Sequence, residues 1–426
     1  MSANTAQNRR KAGINPMGVM DIWALAALAY WLFMLWDTLR ARQWMLKLPR
    51  SEPEQAGWRT GRTPQDGKES EAPLVSIIIA AKEEESSIVE TVKHLLGQTY
   101  PRIEIIAVND RSQDTTGRKL DELRRWSEGR AGIAVPLRVI HITSLPSGWL
   151  GKNHALYQGY LQARGKYLLF TDADVQFEPQ TVEDAVRFLQ EQQADHVTLA
   201  PRMLVRGLWL RTFVQFFFFT LSLYIRPWRG NDDFQHRHGM GIGAFNLLTR
   251  QAYERIGTHR AIALRPDDDL QLGRRVKEAR LRQRLASGTE HIAVEWYTSL
   301  GEAIRGLEKN LFSGFGYRLS FAALGVLGQL ALFLFPWAGM LLLSGPAAWG
   351  FALSVALMLA VYLLLIRSIT GEGGLEALLM PLSVVLLCYI VTRSVWLTLK
   401  QGGIYWRGTF YSLKELRRMK ARDPSD

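Results

Sequence analysis

Three groups of aspartates in this sequence could do chemistry, and the first is the pair Asp172 and Asp174. The two residues directly follow residues 167–170, an apolar run of strand length. Side chains two apart on an extended segment point the same way, so both carboxylates converge at the end of a strand. Left there unpaired they would repel each other, and a hard divalent cation relieves that repulsion. The spacing predicts a Mg²⁺ or Mn²⁺ site; the alternative is a solvated turn with two incidental acids.

The second group is centred on Asp110, which follows another apolar run at residues 103–108. A carboxylate at a strand end can accept hydrogen bonds from a base or a ribose. Ser112 and Asp114, a few residues later, are of the types that cap a helix N-terminus. Capping explains these two residues in part, whereas Asp110 is less easily explained in that way.

The third group is the run Asp267, Asp268 and Asp269, which precedes a helical pattern at residues 270–276. Acids in the first turn of a helix are stabilised by its dipole. Crowding of like charges also raises at least one carboxyl pKa, as a general base requires. From these residues alone both interpretations remain open.

The elements that must position these acids are short apolar strands alternating with helices. Strands are predicted near residues 75–79, 103–108, 137–142 and 167–171, with a helix at 86–96 between the first two. This alternation predicts an α/β, Rossmann-like fold with a mostly parallel sheet over residues 74–300. Such folds bind ligands at the carboxyl ends of their strands, which is where the acids lie.

A second part of the chain is predicted to lie in a membrane. No charged residue occurs from residue 319 to residue 366, a run too long for an ordinary buried helix. The predicted segments are an anchor within 1–48 (span about 17–36), a linker at 49–73, an interfacial helix at about 207–228, an interfacial segment at 301–318, spans at about 319–343, 347–366 and 375–399, and a basic tail at 401–426.

The net charge of +12 is concentrated beside the apolar segments. Attraction to anionic lipid headgroups explains that placement better than nucleic-acid binding does, so no nucleic-acid partner is predicted. The single cysteine, Cys388, excludes an intrachain disulfide or cysteine metal site. The oligomeric state stays open.

Taken in order, these motifs resemble those of the family 2 glycosyltransferases, especially the membrane-bound, lipid-modifying branch of hopanoid-associated, carotenoid and ceramide glycosyltransferases. The resemblance runs from about residue 74 to residue 318. It is carried by Ala81-Lys82-Glu83-Glu84-Glu85, Asp110, Gly151-Lys152-Asn153-His154-Ala155-Leu156, Asp172-Ala173-Asp174, Gly241-Ile242-Gly243-Ala244-Phe245 and Asp268-Asp269-Leu270-Gln271-Leu272.

The resemblance implies a GT-A fold and a metal-dependent, inverting enzyme. A hexose would move from a nucleotide-diphosphate sugar, expected to be a UDP-sugar, to a hydroxyl or carboxyl of a lipid-like acceptor. Ala81, Glu84 and Asp110 are expected at the nucleoside. Lys152 is expected near the diphosphate.

The remaining implied roles concern the metal and the proton. Asp172 is expected beside the ribose and the metal, and Asp174 is expected to bind the metal directly. Asp269 is the expected general base, with Asp268 in the place of the family's usual glutamate. General-base assistance is typically worth on the order of 10²–10⁴ in rate.

On the acceptor side, the resemblance implies a close-approach loop at Gly241, Gly243 and Ala244. The Gln-x-x-Arg-Trp motif of processive synthases is absent, and Lys309 is a candidate for the positive charge in that region. The absence of this motif argues against the alternative of a processive polysaccharide synthase. A second alternative is an inactive nucleotide-sugar-binding membrane protein.

Because nucleotide sugars are cytoplasmic, the resemblance places residues 50–318 on the cytoplasmic side of a multi-pass protein of the cell membrane. One anchor and three later spans would put both termini outside. Both termini carry Lys and Arg, which favours the inside. The side of the C-terminus is left open.

Overall fold

The computed structural model describes residues 18–51, 72–129, 135–308, 311–370, 374–406 and 409–421. Most of the predicted linker, part of the basic tail, and Lys309 lie outside these ranges. The catalytic-domain strands and the long apolar helices lie within them.

Thirteen strands are present in the described part of the chain. They are β1 Leu46–Lys47, β2 Val75–Ala81, β3 Ile103–Asp110, β4 Leu137–Ile142, β5 Tyr167–Thr171, β6 Val175–Phe177, β7 His196–Ala200, β8 Arg202–Met203, β9 Asn246–Thr249, β10 Gln283–Ser287, β11 Ile292–Val294, β12 Gly403–Trp406 and β13 Thr409–Ser412.

Eight of these strands form one sheet in the order β1-β10-β7-β9-β5-β2-β3-β4. Every neighbouring pair is parallel except the two pairs made by β9, which is antiparallel to both β5 and β7. The predicted α/β fold with a mostly parallel sheet is therefore confirmed.

The helices of the described residues were expected only in part from the sequence. They are α1 Val19–Ala41, α2 Ile88–Leu96, α3 Thr116–Glu128, α4 Gly151–Gln162, α5 Thr181–Glu191, α6 Leu208–Ile225, α7 Arg250–Arg255, α8 Asp268–Glu278, α9 Leu300–Leu307, α10 Leu311–Gly314, α11 Leu319–Gln329, α12 Phe335–Leu342, α13 Gly345–Thr370, α14 Met380–Gln401 and α15 Leu413–Ala421.

The central strands are apolar throughout because both faces of the sheet are covered. Along β2, Ile77 and Ile79 belong to one apolar cluster, whereas Ile78 belongs to another on the opposite face. Alternate residues of a strand point to opposite faces, so a continuous run of isoleucines fills both layers. Helix α4 packs on β2 and β3, which brings its first turn to the edge where the strands end.

Five helical segments are long and apolar enough to cross a membrane. They are Val19–Trp44, Leu208–Ile225, Leu319–Leu342, Gly345–Arg367 and Leu375–Gln401. Residues from all five contribute to one apolar cluster. The segment at 208–225, which we expect to lie in the membrane plane, is half buried against its neighbours.

A proline shapes the third of these segments. Pro336 is the second residue of α12 and has no backbone N–H, so the carbonyl of Leu332 receives no helical hydrogen bond from it. The indole N–H of Trp31 on α1 donates to that carbonyl at 3.1 Å. Residues 330–334 widen locally into a π-helix. The N-terminal helix thus satisfies a backbone group that the proline leaves open.

The N-terminal anchor is also joined to the sheet. After α1 the chain forms β1, the edge strand of the sheet, which pairs in parallel with β10 through Leu46 and Ala286. The backbone N–H of Leu48 continues the pairing by donating to the Ser287 carbonyl at 3.0 Å. The N-terminal helix is therefore continuous with a strand of the eight-stranded sheet.

Candidate active site

The candidate site lies at the carboxyl edge of the sheet, where two helices also begin. Lys152 is the second residue of α4, and Asp268 and Asp269 are the first two residues of α8. Asp172 directly follows β5, and Asp174 directly precedes β6. Parallel strands end together at one edge, so residues far apart in sequence meet there.

Lys152 lies at the centre of this group. Its Nζ is 2.8 Å from Asp172 Oδ1 and 3.4 Å from Asp268 Oδ2. Burial disfavours its charged form, but the attraction of Asp172 and the other nearby carboxylates outweighs burial and holds the pKa of Lys152 above its ordinary value. The lysine is therefore a fixed positive charge at the point where the acids converge.

Asp269 has the environment of a general base. Burial first, and then the charge of Asp268, raise the pKa of Asp269 to about 7, although Lys152 acts in the opposite direction. The backbone N–H of Gly243 donates to its Oδ2 at 2.9 Å, and that of Leu270 donates to its Oδ1 at 2.8 Å. The carboxyl is held in place and titrates near neutral pH.

The glycines of the predicted close-approach loop lie against these acids. A Cβ on Gly243 would clash with the Asp172 carboxylate, and one on Gly241 would clash with the Asp269 carbonyl. The backbone N–H of Asp172 donates to the Gly243 carbonyl at 3.1 Å. Ala244 is buried, and its carbonyl accepts from the Thr171 hydroxyl at 2.8 Å. Side chains at either glycine would push the loop off the acids.

Asp174 is the second carboxyl with a raised pKa. Burial is the largest cause, followed by the negative charges of Asp172 and Glu84, and the pKa reaches about 7. The Ser87 hydroxyl donates to Glu84 at 3.0 Å. Three carboxylates therefore act on one another at this end of β5, and a divalent cation would relieve their repulsion.

The residues present could hold a divalent metal whose remaining ligands come from the substrate. In the part of the chain that the structure describes, no three His, Cys, Asp or Glu side chains converge as a ready-made metal cage. Mg²⁺ needs no such cage, because it is usually held by one or two carboxylates together with substrate phosphates and water. Asp172 and Asp174 supply such a pair of hard oxygen ligands.

Asp110, like Asp267 beside Arg265, is already paired with an arginine. It is completely buried, and the neighbouring Arg111 donates to both of its oxygens, at 2.8 and 3.2 Å. Arg111 has a positive φ of 56°, which turns its side chain back over Asp110. A Cβ on Gly151, next to Lys152, would clash with this carboxylate. Ala81, buried at the end of β2, pairs with Asn109.

The C-terminal hairpin also reaches this edge of the molecule. Leu150, directly before Gly151, belongs to an apolar cluster with Tyr411 of β13 and Tyr317. Arg417 of α15 donates to the Tyr317 carbonyl at 3.0 Å. Residues 407 and 408, between β12 and β13, lie outside the described residues.

Sequence reasoning missed four residues around the site: Arg111, His196, Asn246 and Gln283. The pairing of Arg111 depends on a backbone conformation that composition does not reveal. His196 and Asn246 carry a readable signal, because each is polar within an apolar strand, as in Asn246-Leu247-Leu248. Such residues in a buried strand require a partner.

Comparisons with known proteins identify a family domain within the chain. Residues 76–257 match the model of glycosyl transferase family 2. The Bacillus subtilis (strain 168) protein described as "Probable glycosyltransferase YdaM" is 38% identical over 106 residues, which is 24% of this chain and 23% of that protein. The 4,4'-diaponeurosporenoate glycosyltransferase of Staphylococcus aureus (strain USA300) is 34% identical over 103 residues, 24% of each chain.

A solved structure covers more of the chain at lower identity. The mannosyltransferase PcManGT from Pyrobaculum calidifontis, in complex with GDP-Man and Mn²⁺, has a TM-score of 0.49 and 18% identity, covering 89% of this chain and 98% of its own. Overlap at that level does not by itself establish a relationship. The sequence matches span about a quarter of the two curated relatives. The family match confirms the predicted family: residues 76–257 form a glycosyl transferase family 2 domain.

Proposed function

We propose that the chain is an inverting glycosyltransferase that moves a hexose from a nucleotide-diphosphate sugar, a UDP-sugar in the simplest case, to a lipid-like acceptor at the membrane. One observation carries the proposal. Asp269 is held by the Gly243 N–H, has a pKa of about 7, and lies beside the cluster formed by Lys152 and Asp172. A base and a group that can neutralise a diphosphate are therefore adjacent.

In the proposed reaction the proton and the leaving group go to different residues. Asp269 accepts the proton of the acceptor hydroxyl, and the acceptor oxygen forms a bond to the anomeric carbon. A carboxylate acceptor would arrive already ionised and need no base. The bond from that carbon to the diphosphate oxygen breaks, and its electron pair stays on the diphosphate. Attack opposite to the leaving group inverts the anomeric centre.

Lys152 and the aspartate pair receive the departing diphosphate. The ammonium of Lys152 is already fixed beside Asp172, so little reorganisation is needed when negative charge develops. Asp172 and Asp174 would hold the divalent metal, which supplies further neutralisation of the phosphate oxygens when bound. Asp268 pairs with Lys152 at 3.4 Å and keeps the lysine directed towards the cluster.

The nucleoside is placed at the ends of β2 and β3. Ala81, Glu84 and Asp110 contact it in this proposal. Because Asp110 is completely buried beneath Arg111, the guanidinium must move aside before Asp110 can bind a donor.

Two observations support a lipid-like acceptor with a hydroxyl or carboxyl group. Five apolar helices long enough to cross a membrane flank or interrupt the catalytic domain. One relative carries an apolar acid, 4,4'-diaponeurosporenoate, in its name. Gly241, Gly243, Ala244 and Lys309 are the proposed acceptor-side residues, in a multi-pass protein of the cell membrane whose catalytic domain faces the cytoplasm.

The proposal is tested by incubating membranes that contain the full chain with a panel of labelled nucleotide sugars and Mg²⁺ or Mn²⁺. Thin-layer chromatography of the lipid extract should show one labelled polar lipid, and NMR should show an inverted anomeric configuration. Label confined to high polymer would instead identify a processive synthase. Donor binding without any labelled product would identify a nucleotide-sugar-binding protein.

A further inference from the structure

Behind the loop at residues 240–243, four polar side chains are buried in the sheet, and three of them are joined to one another by hydrogen bonds; the fourth is Thr198. His196 on β7 and Gln283 on β10 are completely buried, and Asn246 on β9 is 3% exposed. The three strands are neighbours, with His196 directly opposite Gln283 in the register. Buried polar groups are costly unless they are hydrogen-bonded, so their partners show why they are there.

Gln283 hydrogen-bonds to both backbone groups of Met240, the first residue of the loop at residues 240–243. Its Nε2 donates to the Met240 carbonyl at 2.7 Å, and its Oε1 accepts from the Met240 N–H at 3.2 Å. The second hydrogen of Nε2 points to His196 Nδ1, 2.9 Å away. The side-chain amide of Gln283 therefore satisfies both backbone groups of Met240, as a neighbouring strand would.

Asn246 contacts both backbone groups of Ile242, the third residue of the loop, and shares the Ile242 N–H with Thr198 Oγ1, which accepts at 3.0 Å. Its Nδ2 donates to the Ile242 carbonyl at 2.7 Å, and its Oδ1 accepts from the Ile242 N–H at 3.3 Å. His196 Nε2 lies 3.1 Å from the same Oδ1. Because Gln283 donates to Nδ1, the imidazole carries its proton on Nε2 and donates to Asn246. Burial lowers the pKa of His196 to about 4, so the ring is neutral at physiological pH.

The other side of the loop lies directly on the helix that carries Asp269. The Gly241 N–H donates to the Asp269 carbonyl at 3.1 Å, and the Gly243 N–H donates to its Oδ2 at 2.9 Å. Gly239 and Gly273 allow the loop and α8 to approach so closely that a Cβ on either would meet backbone atoms. The loop is thus fixed between the polar side chains and α8.

We infer that His196, Asn246 and Gln283 are positioning residues for Asp269, acting through the backbone of residues 240–243. The two side-chain amides fix the position of the loop backbone. The imidazole hydrogen-bonds to both amides, so neither amide can rotate without breaking a hydrogen bond to it. The Gly243 N–H is thereby kept on the Asp269 carboxylate. This inference rests on the proposed function, in which Asp269 is the base.

The test compares two buried glutamines that hold backbone groups. Gln98, at the opposite edge of the sheet, donates to the carbonyls of Glu178 and His94 at 2.9 and 3.2 Å and accepts from the Val182 N–H at 3.0 Å. Gln283→Met and Gln98→Met remove equivalent contacts with a side chain of similar length. The full chain, in membranes, is assayed for kcat, donor KM and thermal midpoint.

We expect both variants to lose similar thermal stability, but only Gln283→Met to lose kcat, by about 100-fold, with donor KM unchanged within about twofold. Asn246→Leu should match Gln283→Met. An equal loss of kcat in Gln98→Met, or no loss in Gln283→Met, would overturn the inference.

Hydrogen exchange separates failure of this inference from failure of the proposed function. The amides of Gly241 and Gly243 should lose protection in Gln283→Met and keep it in Gln98→Met. If the parent chain transfers no sugar at all, the proposed function is wrong, and the exchange rates still decide whether the polar side chains hold the loop. Unchanged protection in Gln283→Met would refute that hold.

Discussion

The membrane-facing half and the catalytic edge of the molecule treat charge in opposite ways. Among the apolar helices, acids and arginines meet as close ion pairs between different segments. These pairs are Arg229 with Asp37 at 2.6 Å, Arg211 with Glu376 at 2.5 Å and Arg393 with Glu308 at 2.5 Å. Each pair ties one helix or loop to another.

At the catalytic edge, several carboxylates lie around Lys152 instead. Asp172 and Asp268 both contact its ammonium, and burial first, followed by the neighbouring negative charges, raises the pKa of Asp269 and Asp174 to about 7. Balanced pairs hold a structure together, whereas an excess of one sign leaves free energy that a cation or a proton can release. The unbalanced region is therefore where ligands and proton transfer are expected.

The largest effect is expected from removing the titrating charge of the catalytic edge. Asp269→Asn keeps the shape of the side chain and abolishes its basicity, so transfer to a hydroxyl acceptor should fall on the order of 10²–10⁴-fold. Donor affinity should change little, because the proposed role of Asp269 is to take the acceptor's proton and not to bind the donor. Transfer of labelled sugar and equilibrium binding of the donor measure the two quantities. Undiminished transfer would exclude Asp269 as the base.

A smaller loss is expected when the loop is pushed off the acids without changing any charge. Gly243→Ala places a methyl group against the Asp172 carboxylate, and we expect transfer to fall roughly 100-fold. Gly328→Ala is the matched control, because nothing lies within 4 Å of a Cβ at that position in α11. Equal activity of the two variants would show that close approach at Gly243 is not required.

The metal prediction concerns the carboxylate pair at the end of β5. Chelation of divalent ions should stop transfer, and Mg²⁺ or Mn²⁺ should restore it. Asp174→Asn should raise the metal concentration for half-maximal activity by at least about tenfold, because one of two protein ligands loses its charge. The measurement is a metal titration of activity at fixed donor concentration. Full activity in the presence of a chelator would contradict the proposed metal site.

A further prediction concerns stability as a function of pH. The folded-state pKa values of Asp174 and Asp269, about 7, exceed the ordinary value of 3.8. Between these values the folded state binds more protons than the unfolded state, so stability falls as pH rises. Without metal, Asp174→Asn should therefore melt a few degrees higher than the parent chain at pH 8. The difference should shrink at pH 5, and an equal difference at both pH values would refute the cause.

The smallest effect on activity is expected from removing Asp37, which two arginines share among the apolar helices. Asp37→Leu leaves Arg226 and Arg229 beside a buried apolar side chain. Removing one partner of a buried pair is strongly destabilising, so the thermal midpoint should fall, and replacing Arg229 by Leu as well should recover part of it. The kcat of the folded protein should stay within about twofold. A large loss of kcat at full stability would mean that this pair does more than hold helices together.

The strands and the meeting of their acids were predictable from local patterns. The apolar, largely β-branched run at 75–79 and the apolar run before Asp172 are typical of strands buried on both faces, and parallel strands end together. The predicted site residues Lys152, Asp172, Asp268 and Asp269 are brought together by that rule. Their roles remain proposals.

Long-range partners were not predictable in the same way. The parallel pairing of β1 with β10 joins residues more than two hundred positions apart. Because β1 has only two residues, it is too short to show the alternation of apolar and polar residues that predicts a strand. The hold of Gln283 on Met240 depends on which strands become neighbours, which sequence periodicity does not specify. Arg111 adopts a positive φ that local composition gives no reason to expect.

The short strand β1 has a consequence for making a soluble catalytic domain. It covers the outer edge of β10, the strand that carries Gln283. If the chain began at residue 72, that edge would present unpaired backbone groups, a template for pairing with a second molecule. Truncation meant to remove only the membrane anchor would therefore favour aggregation. A soluble version should retain residues 46–51 as a covering strand.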